Sequence, residues 1–201
     1  MMQVAVIVLN WNSKNDTLAC LESLQAQNNV ETKIILVDNG SVDDSVSAVA
    51  QQYPDAEIIE TGFNLGYAGG NNIGLKRALE LGFEYILVLN NDTILEPYCI
   101  ANLVTDLEEH PDAAAAAPKT FFLDSPATIY YAGGKLNPDG SPEHVGWGRL
   151  DGPEFGSSDT EWITGCAILF RAQPLKEISL FEAKFFLLFE DLDWSMRARK
   201  L

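Results

Sequence analysis

Ile86 to Leu89 form an unbroken apolar run, too short for an independent helix, that stops abruptly on Asn90-Asn91-Asp92. A strand buried on both faces of a parallel sheet reads this way. Its carboxyl end would then carry three oxygen-bearing side chains, and in open α/β sheets ligands bind at that edge. An acid-ended polar triplet there suits a divalent cation carrying a diphosphate. An ordinary Asn/Asp turn leaving a strand fits the triplet equally well when it is taken alone.

Two earlier runs repeat the pattern. Gln3 to Leu9 reads as a first strand closed by Asn10-Trp11-Asn12. Lys33 to Val37 reads as a second, ending in Asp38-Asn39-Gly40-Ser41. Between them, Leu18, Leu21 and Leu24 give a helix from near Asp16 to Gln27 an apolar face. Asp43 and Asp44 start another helix that Pro54 ends, and Ala56 to Glu60 makes a third strand. Gly62 to Gly70 reads as a glycine-rich loop before a helix over about Asn71–Leu81, with Gly82 as its C′ glycine. A helix from about Glu96 to Glu109 and a small-residue strand at Ala113–Ala117 follow. This alternation predicts a doubly wound, mostly parallel sheet with right-handed crossovers.

The pattern changes after Pro118. Lys119 to Trp162 is rich in Gly, Pro, Asp and aromatics, with runs such as Thr128-Ile-Tyr-Tyr131 that predict hairpins. Thr164 to Phe170 is apolar again, and Pro174 to Phe181 reads as a turn region. Phe185 to Phe189 leads into Glu190-Asp191-Leu-Asp193, which opens a final helix reaching Lys200.

Composition narrows the partners. A formal charge of −16 over 201 residues argues against nucleic acid, whose phosphates would be repelled. An anionic small ligand would need local donors or a metal to offset that field. At 47% hydrophobic, 201 residues suffice for one well-buried domain. Cys20, Cys99 and Cys166 are odd in number and widely spaced, which points to a reducing, cytoplasmic setting. The amino terminus lacks a basic n-region and a small-residue cleavage site, so it reads as a first strand. No apolar run approaches the ~20 residues of a membrane span, and peripheral membrane association stays open.

Each candidate site residue has a structural alternative. Asp38 can accept hydrogen bonds from a base or ribose, or simply form a turn. Asp92 can hold Mg²⁺ or Mn²⁺, or cap the following helix. The amides of Gly69, Gly70 and Asn71 at a helix start can cradle phosphate, although the spacing is not that of a dinucleotide fingerprint and there is no P-loop Lys. The same glycines can serve close helix–sheet approach. Glu190, Asp191 and Asp193 complement a helix dipole, and Asp193 can pair with Arg197; one of the acids can equally serve as a general base. His110 and His144 make no metal pair, Cys166 reads as core, and no nucleophilic serine elbow is present.

Taken in order, Val4-Ala-Val-Ile-Val-Leu-Asn-Trp-Asn12, Val37-Asp-Asn-Gly-Ser41 with Asp44, and Asn64-Leu-Gly-Tyr-Ala-Gly-Gly-Asn-Asn-Ile-Gly74 resemble glycosyltransferase family 2. So do Leu89-Asn-Asn-Asp-Thr93, Thr164-Gly-Cys-Ala167 and Phe189-Glu-Asp-Leu-Asp-Trp194 with Arg197, the closest likeness being to the rhamnosyltransferase-like branch. The resemblance covers nearly the whole chain. It implies a three-layer α/β/α GT-A fold over residues 1–201, with a nucleotide-sugar half at 1–118 and an acceptor half at 119–201. It also implies inverting transfer of a sugar from a dTDP- or UDP-linked donor to a hydroxyl of a saccharide or lipid-linked saccharide, in cell-surface polysaccharide or lipopolysaccharide synthesis, at the inner face of the membrane.

On that model Asn10, Asn12, Asp38 and Asn39 lie on the nucleotide side, and Gly66, Gly69, Gly70 and Asn71 line the nucleotide-sugar. Asn90, Asn91 and Asp92 occupy the place of the family's D-x-D, with Asp92 on the metal. Thr164, Gly165, Cys166 and Glu190 flank the acceptor, and Asp191 is the base. Two departures stand out: Asn90 replaces the usual Asp, and family members usually continue beyond Leu201. A non-catalytic nucleotide-binding remnant and a sugar-1-phosphate nucleotidyltransferase are the competing readings. The second lacks the Gly-rich, Arg/Lys-bearing phosphate loop expected after strand one.

Overall fold

The structure, a computed structural model, describes residues 2–200. Four strands alternate with helices in the amino-terminal part: β1 (Gln3–Asn10), α1 (Lys14–Gln25), β2 (Glu31–Asp38), α2 (Ser45–Gln52), β3 (Glu57–Glu60), α3 (Gly66–Glu80), β4 (Tyr85–Asn90) and α4 (Cys99–Glu109). A short β5 (Ala115–Ala116) follows. Two hairpins come next, β6 (Thr120–Phe122) with β7 (Ser125–Tyr131) and β8 (Gly134–Leu136) with β9 (Pro142–His144). The chain closes with β10 (Ala167–Arg171), α5 (Ala172–Ile178) and α6 (Glu190–Ala198).

The main sheet runs β3-β2-β1-β4-β10-β5. Its first four strands are parallel, and β10 is antiparallel to both its neighbours. The chain winds outward from β1 to β3, then returns to place β4 on the other side of β1. The carboxyl ends of β1 and β4 therefore flank a topological switch point, with Leu9 opposite Asn90.

Alternate residues of each strand feed opposite faces. Val4, Val6, Val8, Leu87 and Leu89 pack under α1, α2 and α4, against Leu21, Val49, Ile100 and Val104. Ala5, Ile7, Ile86, Val88 and Phe170 pack under α3, α5 and α6, against Leu75, Leu175 and Trp194. The result is a three-layer α/β/α molecule with a mixed, mostly parallel sheet.

Two elements differ from the sequence expectation, and a third settles a strand direction it left open. The glycine stretch is not a loop: α3 begins at Gly66, so Gly69 and Gly70 lie inside it. Gly70 and Gly74, four residues apart, face the sheet, where a Cβ would overlap the Leu9 and Ile7 side chains respectively. Contact with the sheet thus overrides the ~1 kcal/mol that each helical glycine costs. Pro174 sits in the first turn of α5 rather than in a turn region, because the third helical position has no intrahelical partner for an N–H. And β10 runs backwards because it enters the sheet from the carboxyl edge, where Cys166 accepts the Asn90 N–H (2.9 Å). No helix of the described residues is long and apolar enough to cross a membrane.

Candidate functional site

The carboxyl edge around β1 and β2 is built on one amide. Asn10, fully buried, points its Nδ2 at Asp38 Oδ1 (2.8 Å), Ser41 Oγ (3.0 Å) and Ser45 Oγ (2.8 Å), and its Oδ1 accepts from Thr17 Oγ1 (2.7 Å). Two N–H bonds serve three acceptors, so the amide is saturated. Asp38, 2% exposed, also accepts the Ser41 N–H (3.0 Å). Asn39, equally buried, donates to Asn64 Oδ1 and Gly66 O and accepts from the Leu65 N–H. Asn10 and Asn39 thus spend their amides on holding the loops of this edge in place, while Asp38 takes one hydrogen bond on each oxygen and keeps acceptor capacity. Asn12 differs: it is exposed, in a left-handed conformation, and accepts the Val42 N–H (2.7 Å) across the two loops. Trp11 beside it is 55% exposed.

The expected phosphate cradle is corrected by the position of α3. The amides of Gly69, Gly70 and Asn71 lie past the helix start and have carbonyls four residues back to bond. Among the free N–H groups at its first turn, Leu65 donates to Asn39, Gly66 to Asn64 and Tyr67 to Phe186 O. Little of that helix end is left for an anion. Asn71 Oδ1 is buried with no hydrogen-bond partner among the described residues.

The end of β4 is more open. Asn91 Nδ2 donates to Thr17 Oγ1 (2.9 Å), which ties this turn to the Asn10 amide. The Asp92 side chain is exposed, and its carboxylate takes no hydrogen bond among the described residues. No three His, Cys, Asp or Glu side chains cluster as a ready metal cage among those residues. A single free carboxylate beside amide oxygens suits Mg²⁺ or Mn²⁺, hard cations usually held by one or two carboxylates plus substrate phosphates.

Facing Asp92 is the turn that starts β10. The Gly165 N–H donates to Asp191 Oδ2 (2.7 Å), and the Gly165 carbonyl accepts from the Tyr67 hydroxyl (2.5 Å). Asp191 Oδ1 takes the Leu192 N–H (2.7 Å), so both carboxylate oxygens are aimed by backbone amides. One residue on, Cys166 bonds β4 through its carbonyl and touches Thr93 Oγ1 through its sulfur (3.4 Å). Thr164 is buried alongside. Arg197, which pairs with Asp193 (2.9 Å), also donates to the carbonyls of Ile178 and Leu180 and locks α6 onto the end of α5.

Burial and negative charge dominate the electrostatics. Glu190 is 4% exposed with Oε2 unpartnered, and burial, with Asp191 adjoining it, pushes its carboxyl up to about 7. Burial raises the Tyr67 phenol well above its ordinary value, and the charges of Glu190 and Asp191 raise it further. Tyr67 thus remains a neutral hydrogen-bond donor. The structure brings Asn90, Asp92, Gly165, Cys166, Glu190 and Asp191 together at one edge. Sequence reasoning missed Tyr67, although it stands within the glycine stretch, and Asn72, whose amide makes both backbone hydrogen bonds to Phe181 and so anchors the segment that leads to Glu190.

Residues 5–177 match the family model described as Glycosyl transferase family 2. The chain belongs to that family. Among its relatives is a low-salt glycan biosynthesis hexosyltransferase of Haloferax volcanii, 25% identical over 98% of this chain and 62% of the relative. An N-acetylglucosaminyl-diphospho-decaprenol L-rhamnosyltransferase of Mycobacterium tuberculosis is also 25% identical, over 90% of this chain and 65% of its own length. The chain therefore spans somewhat less than two-thirds of these relatives. Solved structures agree on the GT-A fold. S. aureus TarS in complex with UDP-GlcNAc aligns with TM-score 0.62 and 18% identity over 98% of this chain and 53% of that one. A Pyrobaculum calidifontis mannosyltransferase in complex with GDP-Man and Mn²⁺ aligns with TM-score 0.61 and 18% identity, over 90% and 47%.

Proposed function

We propose that this chain carries inverting sugar transfer from a nucleoside-diphosphate sugar to an acceptor hydroxyl, in the assembly of a cell-surface or secreted glycan. One observation carries the reading: the Gly165-Cys166 turn joins the strand end that carries the exposed Asp92 carboxylate, through Asn90, to the amide-oriented Asp191 carboxylate, through the Gly165 N–H. The named relatives support the class of product, and the TarS and mannosyltransferase complexes support a nucleotide-sugar donor. We take the donor to be UDP- or dTDP-linked, with Trp11 and Asn12 on the nucleoside side. The acceptor is a saccharide or lipid-linked saccharide, reached from the cytoplasmic side of a membrane.

The residues divide the work. Asp191, fixed by the Gly165 and Leu192 amides, accepts the proton of the acceptor hydroxyl as its oxygen attacks the anomeric carbon. The bond from that carbon to the diphosphate breaks on the opposite face, and the electron pair leaves with the phosphate. Asp92, with Asn90 beside it, would hold Mn²⁺ or Mg²⁺, which when bound neutralises the charge developing on the leaving diphosphate. Asn10, Asp38 and Asn39 act as positioning residues for the loops around the nucleotide, and the Tyr67 hydroxyl fixes the Gly165 peptide that aims Asp191. The test is calorimetric binding of UDP, dTDP and GDP with and without Mn²⁺. A site of this kind binds one of them selectively and in a metal-dependent way.

A further inference from the structure

A cavity of about 640 Å³ beside the hairpins is lined by none of the residues assigned above. That size lies within the ~300–1,000 Å³ of small-molecule sites. Lys135, Glu143, His144, Trp147, Arg149 and Phe155 line it. Trp147 forms its aromatic wall while remaining 55% exposed. The ring is not a loose surface side chain. It packs edge-on against Phe122 (5.2 Å between centroids) and His144 (5.4 Å) and tilted against Tyr130 (4.9 Å). Gly146 and Gly148, at φ of 78° and 71°, bracket it in a turn that the Gly148 N–H pins to Ile129 O (2.9 Å). Below, His144 leans on Trp162 (5.0 Å), whose indole N–H is held by Lys135 O (3.0 Å). A rigid support thus presents a half-exposed indole ring.

The polar lining decides what that face can receive. Lys135 and Glu143 lie directly opposite each other in the β8–β9 pair, exposed and without an ion-pair partner among the described residues. Arg149 is committed to Glu154 (3.0 Å) and to the face of Phe155 (4.8 Å). A cup with free donors and free acceptors of both signs suits neither a phosphate, which Glu143 would repel, nor a lipid tail, which would bury both charges unpaired. It does suit a ring with a C–H face and a rim of hydroxyls.

Its position is equally specific. Tyr130 belongs to the same cluster, touching Trp147 and His144 (5.1 Å). His144 packs in turn on Trp162 (5.0 Å), which stands three residues before Gly165, the residue whose N–H binds Asp191. One aromatic cluster therefore runs from the cup to the edge that holds the proposed base.

We propose that this cup is a saccharide subsite, in which a pyranose ring stacks on Trp147 while Lys135 and Glu143 hydrogen-bond its hydroxyls. Its assignment to the acceptor rests on the function proposed above; the binding of a sugar does not. Methyl pyranosides of glucose, galactose, N-acetylglucosamine and rhamnose serve as probes, titrated by saturation-transfer NMR. At least one should bind wild-type protein saturably. Trp147→Ala should weaken it by about tenfold, in line with the ~0.5–1.5 kcal/mol of an aromatic contact. Trp147→Phe should recover most of the loss, and Lys135→Ala, at an exposed position, should weaken binding about threefold with the fold undisturbed. Saturable binding to none of the four, or equal binding by wild type, Trp147→Ala and Lys135→Ala, overturns the proposal. Nucleotide calorimetry on the same samples keeps the two readings apart: pyranoside binding without nucleotide binding contradicts the transferase and leaves the cup standing.

Discussion

Replacing Asn10 by alanine separates a scaffold residue from a ligand contact. The amide is fully buried and serves Thr17, Asp38 and Ser45 at 2.7–2.8 Å, with Ser41 at 3.0 Å. Alanine leaves the two fully buried hydroxyls, Thr17 and Ser45, short of a partner, at about 1 kcal/mol each, while the half-buried Ser41 can turn to water. It also strips a hydrogen bond from Asp38, a carboxylate only 2% exposed, for roughly 1.5–3 kcal/mol more. The expected loss is about 3–5 kcal/mol, a large share of the ~5–15 kcal/mol that holds a domain folded. Urea titration at pH 7, followed by far-UV circular dichroism, measures it as a lower midpoint at unchanged slope. Asn10→Asp should be worse at pH 7 than at pH 5, because it sets a second carboxylate against Asp38. A loss below about 1 kcal/mol, coupled to lost nucleotide binding, would show that Asn10 acts on the ligand directly and refute the scaffold argument.

Glu190→Gln tests the buried acid. With its carboxyl raised from 4.5 to about 7 in the folded state, the protein holds a proton there that the unfolded chain releases. The stabilisation is complete below about pH 4.5 and is lost as pH rises through about 7, so wild type should fall by about 3 kcal/mol relative to Glu190→Gln between those limits. Parallel stability curves for the two proteins would sink that reasoning. Asp191→Asn should lower release of nucleoside diphosphate from the productive donor by at least about 100-fold with donor affinity within about threefold, the mark of a lost general base. Retained turnover would move the base elsewhere.

Much of the architecture was legible because short apolar runs and helical periodicity are local signals. Gln3–Leu9, Lys33–Val37 and Ile86–Leu89 all lie within observed strands, and the edge carrying Asp38 and Asp92 followed from where those runs stop. What stayed hidden depends on partners far away in sequence. Gly66 begins a helix because Gly70 and Gly74 let it close on Leu9 and Ile7, a packing gain that propensity does not record. The direction of β10 is set by where the preceding hairpins deliver the chain. Asn10 and Asn39 have the residue types of a ligand site, yet groups up to 35 positions away consume the hydrogen bonds of their amides. The aromatic residues of 119–162 signalled hairpins but not that Phe122, Tyr130, His144 and Trp147 meet in one cluster.

The claim at the centre of this account is that Asp92 holds the donor's diphosphate through a divalent cation. Isothermal titration of wild type and Asp92→Ala with UDP, dTDP and GDP, each with Mn²⁺ and with EDTA, tests it most directly. The account expects one nucleotide to bind only with the metal, and Asp92→Ala to lose at least about tenfold in affinity, some 1.4 kcal/mol, while keeping its melting temperature. Equal nucleotide affinity in Asp92→Ala, or in EDTA, would contradict it.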